Sequence, residues 1–348
     1  MHARIVTISI GIVVALGIGA GSNFSMAQQA SSNPGLPLMP DGRPDLHGVW
    51  HFNTTTPLQR PESARNRPHY TEEEHAALAA RAAGSPGWDN PPPDGSVGSY
   101  NQFWWDRGGP VEDRRTSLII DPPDGRLPSL TPDAIRQVGS VERHVPGALP
   151  VRYRIGGLGA DGPEERGLAA RCIVGYNVGP PLLPGGYNNN LQVFQSADHV
   201  VILTEMVHTA RIVPITDRPH LPEAIRLWNG DARGHWDGDT LVIETTNFSP
   251  KRASFEPGAT VAFGTGATLT LVERLTRVTP DTLVYEYTVD DPTTFSHSFT
   301  AAIPMRHSTD PIFEYACHEG NYGMTNMLLV GRAADTEPEE DADRTDGR

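Results

Sequence analysis

The 348-residue sequence predicts a mostly β protein, an antiparallel barrel or barrel-like sandwich, and two observations carry that expectation. The first is a succession of short segments rich in β-branched residues: Leu191 to Phe194, His199 to Thr204, Met206 to Pro214, Thr240 to Thr246, Thr268 to Val278 and Thr282 to Val289. Such side chains are stiff at χ1 and pack well on a pleated surface. The second is what separates them. Trp236-Asp237-Gly238-Asp239 and Thr279-Pro280-Asp281 carry the Asp, Gly and Pro that favour tight turns, so His235 to Thr240 reads as a hairpin tip feeding a strand. Strands that follow one another with few helices between them pair antiparallel, and closing the sheet disposes of its edges.

The remaining elements follow in chain order. Residues 1–27 start with His2 and Arg4, continue as an uncharged apolar run from Ile5 to Ile18, and end with small Ser25 and Ala27 before Gln28. This is the pattern of a cleaved secretory signal, too short and wrongly flanked for an anchor, so a periplasmic or secreted location is expected. Residues 28–110 are dominated by Pro, Gly, Asn and Ser, and read as an extended N-terminal arm around the core. One helix interrupts the arm: Thr71 is the N-cap, Glu74 completes a capping box and Gly84 closes it. A second short helix is signalled by Thr131, with Pro132 in the first turn. The β-rich core domain spans 111–333, with a short helix over Met324 to Ala333, and the acidic tail 334–348 reads as disordered. Within the arm, Gly48-Val49-Trp50 resembles the Gly-x-Trp entry of lipocalin-like barrels, which implies a Trp plugging the closed end of a barrel.

Composition narrows the function. A formal net charge of −14 repels phosphate backbones, which argues against a nucleic-acid partner. No second apolar stretch is long enough to span a bilayer, so no membrane partner is expected after signal removal. The two cysteines, Cys172 and Cys317, read as a disulfide in an exported chain. Closing so long a loop stabilises by roughly 4–5 kcal/mol in the entropic model. The bridge also fixes the neighbouring His318; the competing reading is a catalytic thiol beside that histidine. A phosphate loop, a dinucleotide glycine fingerprint, Gly-x-Ser-x-Gly, His-Glu-x-x-His and Cys-x-x-Cys are all absent, so any chemistry comes from groups that the fold assembles.

Five segments supply candidates. Tyr187-Asn188-Asn189-Asn190 either presents carboxamides to hydroxyls, carboxylates or an oxyanion, or is a loop using Asn for left-handed backbone angles. In Glu205 to Arg211, strand alternation puts His208 on the same apolar face as Ile202, Thr204, Met206, Ala210 and Ile212, with Glu205 and Arg211 on the other. His208 is then either a satisfied core histidine or, on a cavity wall, a general acid/base. Arg218-Pro219-His220 is a loop able to return over a barrel mouth. Glu314 to Tyr322 packs His318, Glu319, Asn321 and two tyrosines beside Cys317. Trp104 and Trp105, in a Gly-rich loop, either stack on a ligand ring or plug the core. No cofactor is expected; the minority alternative is a divalent metal, zinc or iron, held by His208, His220 and His318 with Glu205 or Glu319.

Arg114 to Arg126, Tyr187 to Asn190, Arg218-Pro219-His220, Trp236 to Thr240 with Glu244 to Phe248, and Glu314 to Asn321 are similar to strings in an uncharacterised family of exported bacterial proteins. The resemblance spans 104–333 and implies no activity. The expectation drawn from the residues is a cofactor-independent acid/base enzyme of the lyase, dehydratase or isomerase type. Its substrate is a small polar molecule such as a sugar acid or an oxygenated aromatic. His208 moves the proton, Tyr187 or His318 supplies the opposite group, and Asn189 or Arg211 holds developing negative charge. Asn188, Asn190, His220, Glu319 and Trp104 contact the substrate. The alternatives are a lipocalin-like periplasmic binding protein without catalysis and a metal-dependent hydrolase.

Overall fold

A computed structural model describes residues 35–85, 105–106, 108–136, 139–140, 162–258 and 261–336. The expected signal segment, Trp104 and the tail beyond 336 lie outside the described residues. In chain order the elements are β1 (Gly48–His51), α1 (Glu72–Ala83), β2 (Ile119–Asp121), α2 (Pro132–Arg136), β3 (Gly139–Ser140), β4 (Asn190–Gln195), β5 (His199–Thr204), β6 (Ala210–Pro214) and β7 (Asp231–Asp237). They continue with β8 (Thr240–Thr246), β9 (Phe255–Gly258), β10 (Val261–Phe263), β11 (Thr270–Thr279), β12 (Thr282–Asp290), β13 (Phe299–Ser308) and α3 (Tyr322–Thr336). No described helix is long and apolar enough to cross a membrane.

The protein is mostly β and antiparallel. Its main sheet runs β6-β5-β4-β1-β13-β12-β11-β8-β7, with β2 on β13; β3, β10 and β9 make a separate small sheet. Alternation sets the inner face: β11 turns Leu271, Glu273, Leu275 and Arg277 inward, and β12 turns Leu283, Tyr285, Tyr287 and Val289 inward. The closed barrel is not found. The path ends, β6 and β7, lie side by side but are joined by a single parallel bridge, Ile215 to Gly234, with the Thr216 N–H donating to the Gly234 carbonyl at 3.0 Å. Below that bridge the strands part and a cleft opens between them.

Three local outcomes matter. The helix signals hold: the Thr71 hydroxyl accepts from the Glu74 N–H at 3.2 Å, the Glu74 carboxylate accepts from the Thr71 N–H at 2.9 Å, and the Thr131 hydroxyl caps α2 through the Ala134 N–H. The arm is not only an arm, since β1 is inserted between β4 and β13. There Trp50 is fully buried, its Nε1 donates to the Leu46 carbonyl at 3.0 Å, and the Arg277 guanidinium lies 5.2 Å from the ring centroid. That guanidinium is fixed in turn by the carbonyls of Asp45 and Pro280.

The third outcome is a correction: Met206 to Pro214 is not one strand. After Thr204 the chain makes a 3₁₀ turn, Met206–His208, with Val207 and His208 at φ of 60° and 39°. It then reverses, the Thr204 N–H donating to the Thr209 carbonyl, and β6 pairs back with Leu203 opposite Ala210. A slip of one residue inverts every later side chain. Arg211 and Val213 therefore face the core, whereas His208, Ala210 and Ile212 are exposed.

Candidate functional site

A row of outward-facing residues crosses three strands, with Asn190 of β4 opposite His51 of β1 and His51 opposite Arg306 of β13. His51 Nδ1 is hydrogen-bonded to Asn190 Oδ1. Asn190 Nδ2 donates to Glu205 Oε2 at 2.5 Å, and Glu205 Oε1 accepts the Phe313 N–H at 3.0 Å. The far end of this chain sets its direction. The Glu205 carboxylate accepts, so the Asn190 amide turns its NH₂ toward it and its carbonyl toward His51. Neutral His51 must then carry its proton on Nδ1, which leaves the Nε2 lone pair basic. Glu205 is 4% exposed and both its oxygens are satisfied. Beside it, Arg306 Nη2 donates to Asn53 Oδ1 at 3.2 Å, and the Asn53 amide donates to Asp106.

His208 closes the turn that follows Glu205, its N–H donating to the Glu205 carbonyl at 3.2 Å. Its ring is exposed rather than buried, with Nδ1 donating to the Tyr315 carbonyl at 3.1 Å, and the His318 ring lies edge-on at 6.4 Å between centroids. Val207, β-branched and left-handed, is a genuine backbone outlier in the turn that carries the ring. Residues 311–321 form a strap over this turn, held through Phe313 on Glu205 and Tyr315 on His208. A disulfide joins Cys317 to Cys172, and Asn321 Nδ2 donates to the Ala170 carbonyl at 3.0 Å. Two segments singled out in the sequence, 205–211 and 314–322, thus meet here.

Other candidates go elsewhere. Tyr187 packs edge-on against Tyr176 at 5.9 Å. Asn188 has φ of 52°, the left-handed loop geometry. Asn189 is fully buried and its amide is used by the fold: Oδ1 accepts the Gly185 N–H at 2.7 Å, and Nδ2 donates to the carbonyls of Asp106 and Gly185. Only Asn190 of the three joins the polar chain. Arg211 lies inside the sheet, its guanidinium forked onto Glu273 at 2.9 and 2.5 Å, while the Tyr285 hydroxyl donates to Glu273 at 2.8 Å. Burial opposes the Arg211 charge, but Glu273 more than restores it, so the guanidinium is held above its ordinary value. The same burial, with Glu273 alongside, pushes the Tyr285 phenol well up. Both groups are committed to each other. Glu319 is exposed on the strap, next to His318.

His220, in the loop between β6 and β7, pairs through Nδ1 with Asp231 at 3.0 Å and through Nε2 with Glu244 at 3.3 Å. It therefore belongs to a carboxylate pair of its own, not to His208 and His318. Among the described residues, no group of three or more His, Cys, Asp or Glu is arranged to hold a metal ion. Asp231 also accepts from the Leu221 N–H and from Arg233. Burial pushes its carboxyl up, yet these bonds and His220 outweigh burial and hold it below the ordinary value. A carboxyl lowered in the folded state stabilises the fold above about pH 4, and that contribution fades as pH falls through the lowered value. Asp231→Asn is therefore expected to flatten the acid limb of a melting-temperature profile between about pH 4 and 2; a limb as steep as in the parent chain would contradict this.

His51 and Arg306 escape a linear reading. The one available signal was strand parity: with Trp50 inward, His51 faces out. Compared with protein-family models, with curated proteins and with solved structures, the chain matches none.

Proposed function

We propose that this chain is an exported, cofactor-independent acid/base enzyme of the lyase, dehydratase or isomerase type, acting on a small polar molecule such as a sugar acid or an oxygenated aromatic. The observation that carries the reading is the hydrogen-bonded chain from the Phe313 N–H through Glu205 and Asn190 to His51. A general base needs a fixed tautomer, a free lone pair and a partner that tolerates the charge it acquires. Asn190 supplies the first, the outward Nε2 the second, and the buried Glu205 the third through the intervening amide. In the proposed step, His51 Nε2 takes a proton from the carbon next to a carboxylate or carbonyl. Arg306, opposite His51 and tethered by Asn53, holds the negative charge that develops on oxygen. His208, with His318 beside it, has the opposite role: it protonates a departing hydroxyl in an elimination, or returns the proton to carbon in an isomerisation. The strained Val207 supports a functional constraint on that turn.

The disulfide fits an oxidising, extracytoplasmic compartment, which supports periplasmic or secreted export. A barrel-like curl of the open sheet is part of the same proposal, supported by the Ile215–Gly234 bridge between its two ends. A small-molecule substrate, with neither nucleic acid nor membrane as partner, agrees with a net charge of −14.

The test is proton exchange. Uronic acids and hydroxylated aromatic acids are incubated with enzyme in D₂O, and loss of carbon-bound proton signal, or elimination, is followed by NMR. His51→Ala is expected to slow the reaction by about 10²–10⁴-fold with an unchanged melting temperature. Full activity in His51→Ala, or no reaction with any member of the panel, would overturn the proposal.

A further inference from the structure

Below the Ile215–Gly234 bridge, β6 and β7 diverge around a cleft of about 320 Å³, lined by residues 210–212 on one side and 227–233 on the other. That volume is at the lower end for small-ligand pockets, roughly 300–1,000 Å³. Three features distinguish it from a packing flaw. Trp228 lines it half-buried, and Ile212 and Leu227, at 65% and 42% exposure, leave apolar surface open at its mouth. Arg233 binds Asp231 and the Ala232 carbonyl through Nη1 alone, which leaves Nη2 and Nε of its fork without a partner among the described residues. Asn229 also lines the cleft, and its Oδ1 is shielded from solvent without a hydrogen bond to any described residue. Two ion pairs meet the cleft without net charge, Arg211 with the buried Glu273 and Arg233 with Asp231, which also lines it.

We propose that this cleft binds a small aromatic carboxylate, with the ring against Trp228, Ile212 and Leu227 and the carboxylate on the open side of the Arg233 fork. A planar guanidinium with two adjacent N–H groups free matches a carboxylate in a bidentate geometry. An indole face with flanking aliphatic groups favours a flat ring over a flexible chain. The inference does not rest on the chemistry proposed for His51, whose partners lie on β4 and β13.

The probe is 4-hydroxybenzoate, titrated into the full chain by calorimetry, with 4-hydroxybenzyl alcohol as the uncharged comparison. One saturable site is expected, at least tenfold weaker for the alcohol. Ile212→Trp, which fills the cleft from the solvent side, and Trp228→Leu are each expected to weaken binding at least tenfold, whereas His51→Ala binds as the parent chain does. Neither Ile212 nor Trp228 is a fully buried side chain, and melting curves verify that each variant folds. Absence of saturable binding, binding that survives both cleft variants, or binding lost with His51→Ala overturns the proposal.

Discussion

Replacing Arg211 by methionine is expected to cost about 3–5 kcal/mol of stability, because it strands a buried carboxylate. Arg211 is 6% exposed and Glu273 0%, and the two are forked together inside the sheet. Without the guanidinium, Glu273 keeps one strong donor, the Tyr285 hydroxyl, whose own oxygen accepts the Leu182 N–H at 3.1 Å. The loss therefore spreads to the segment that Leu182 anchors. Replacing both partners, Arg211→Met with Glu273→Met, removes the desolvation problem along with the attraction and is expected to recover most of the loss. Urea unfolding of the two single variants and the double variant measures this. A single variant within about 1 kcal/mol of the parent would contradict the assignment of a committed buried pair.

Removing the disulfide by Cys172→Ser with Cys317→Ser is expected to cost about 2–5 kcal/mol, since the bond closes a loop of 145 residues in sequence separation. A second consequence is more specific. Cys317 pins the strap whose Phe313 N–H meets Glu205 and whose Tyr315 carbonyl meets His208. Without the bond, hydrogen exchange at the Phe313 amide is expected to accelerate more than at amides of β11 or β12. Equal acceleration everywhere would mean that the bond stabilises the fold as a whole and does not position the strap.

The sheet was legible where local chemistry and long-range pairing agree. β5 and β8 lie where their β-branched runs put them, and the Thr71 capping box forms as written. Failures came where one signal hid another. β13 carries Pro304 in the middle of the sheet, where the missing N–H argues against a strand, yet Pro304 sits opposite Val284 within a ten-residue element. β1 is four residues long in Pro-rich surroundings, and only Gly48-Val49-Trp50 hinted at it. The turn at 205–209 contains no Gly, Pro, Asn or Asp, so alternation ran through it and placed His208 and Arg211 on each other's faces.

The site shows the same limit. Cys172 and Cys317 were legible as a pair, because an expected export signal and an even count together point to a disulfide. The polar chain was not: His51 is 139 residues from Asn190, Asn190 is 15 from Glu205, and Phe313 is 108 from Glu205. Only the register of β1 between β4 and β13 brings those groups together. Three consecutive Asn residues look equivalent in sequence, but their backbone positions give one a loop, one a buried lock and one the polar chain.

The tautomer of His51 tests the account most directly, and it needs no substrate. Nitrogen-15 NMR of the ring, taken above its titration, is expected to show the proton on Nδ1 and a bare Nε2. Asn190→Leu is expected to release the ring to the Nε2–H form that an unconstrained imidazole favours. An Nε2–H ring in the parent chain, or a tautomer indifferent to Asn190, would contradict the proposed base.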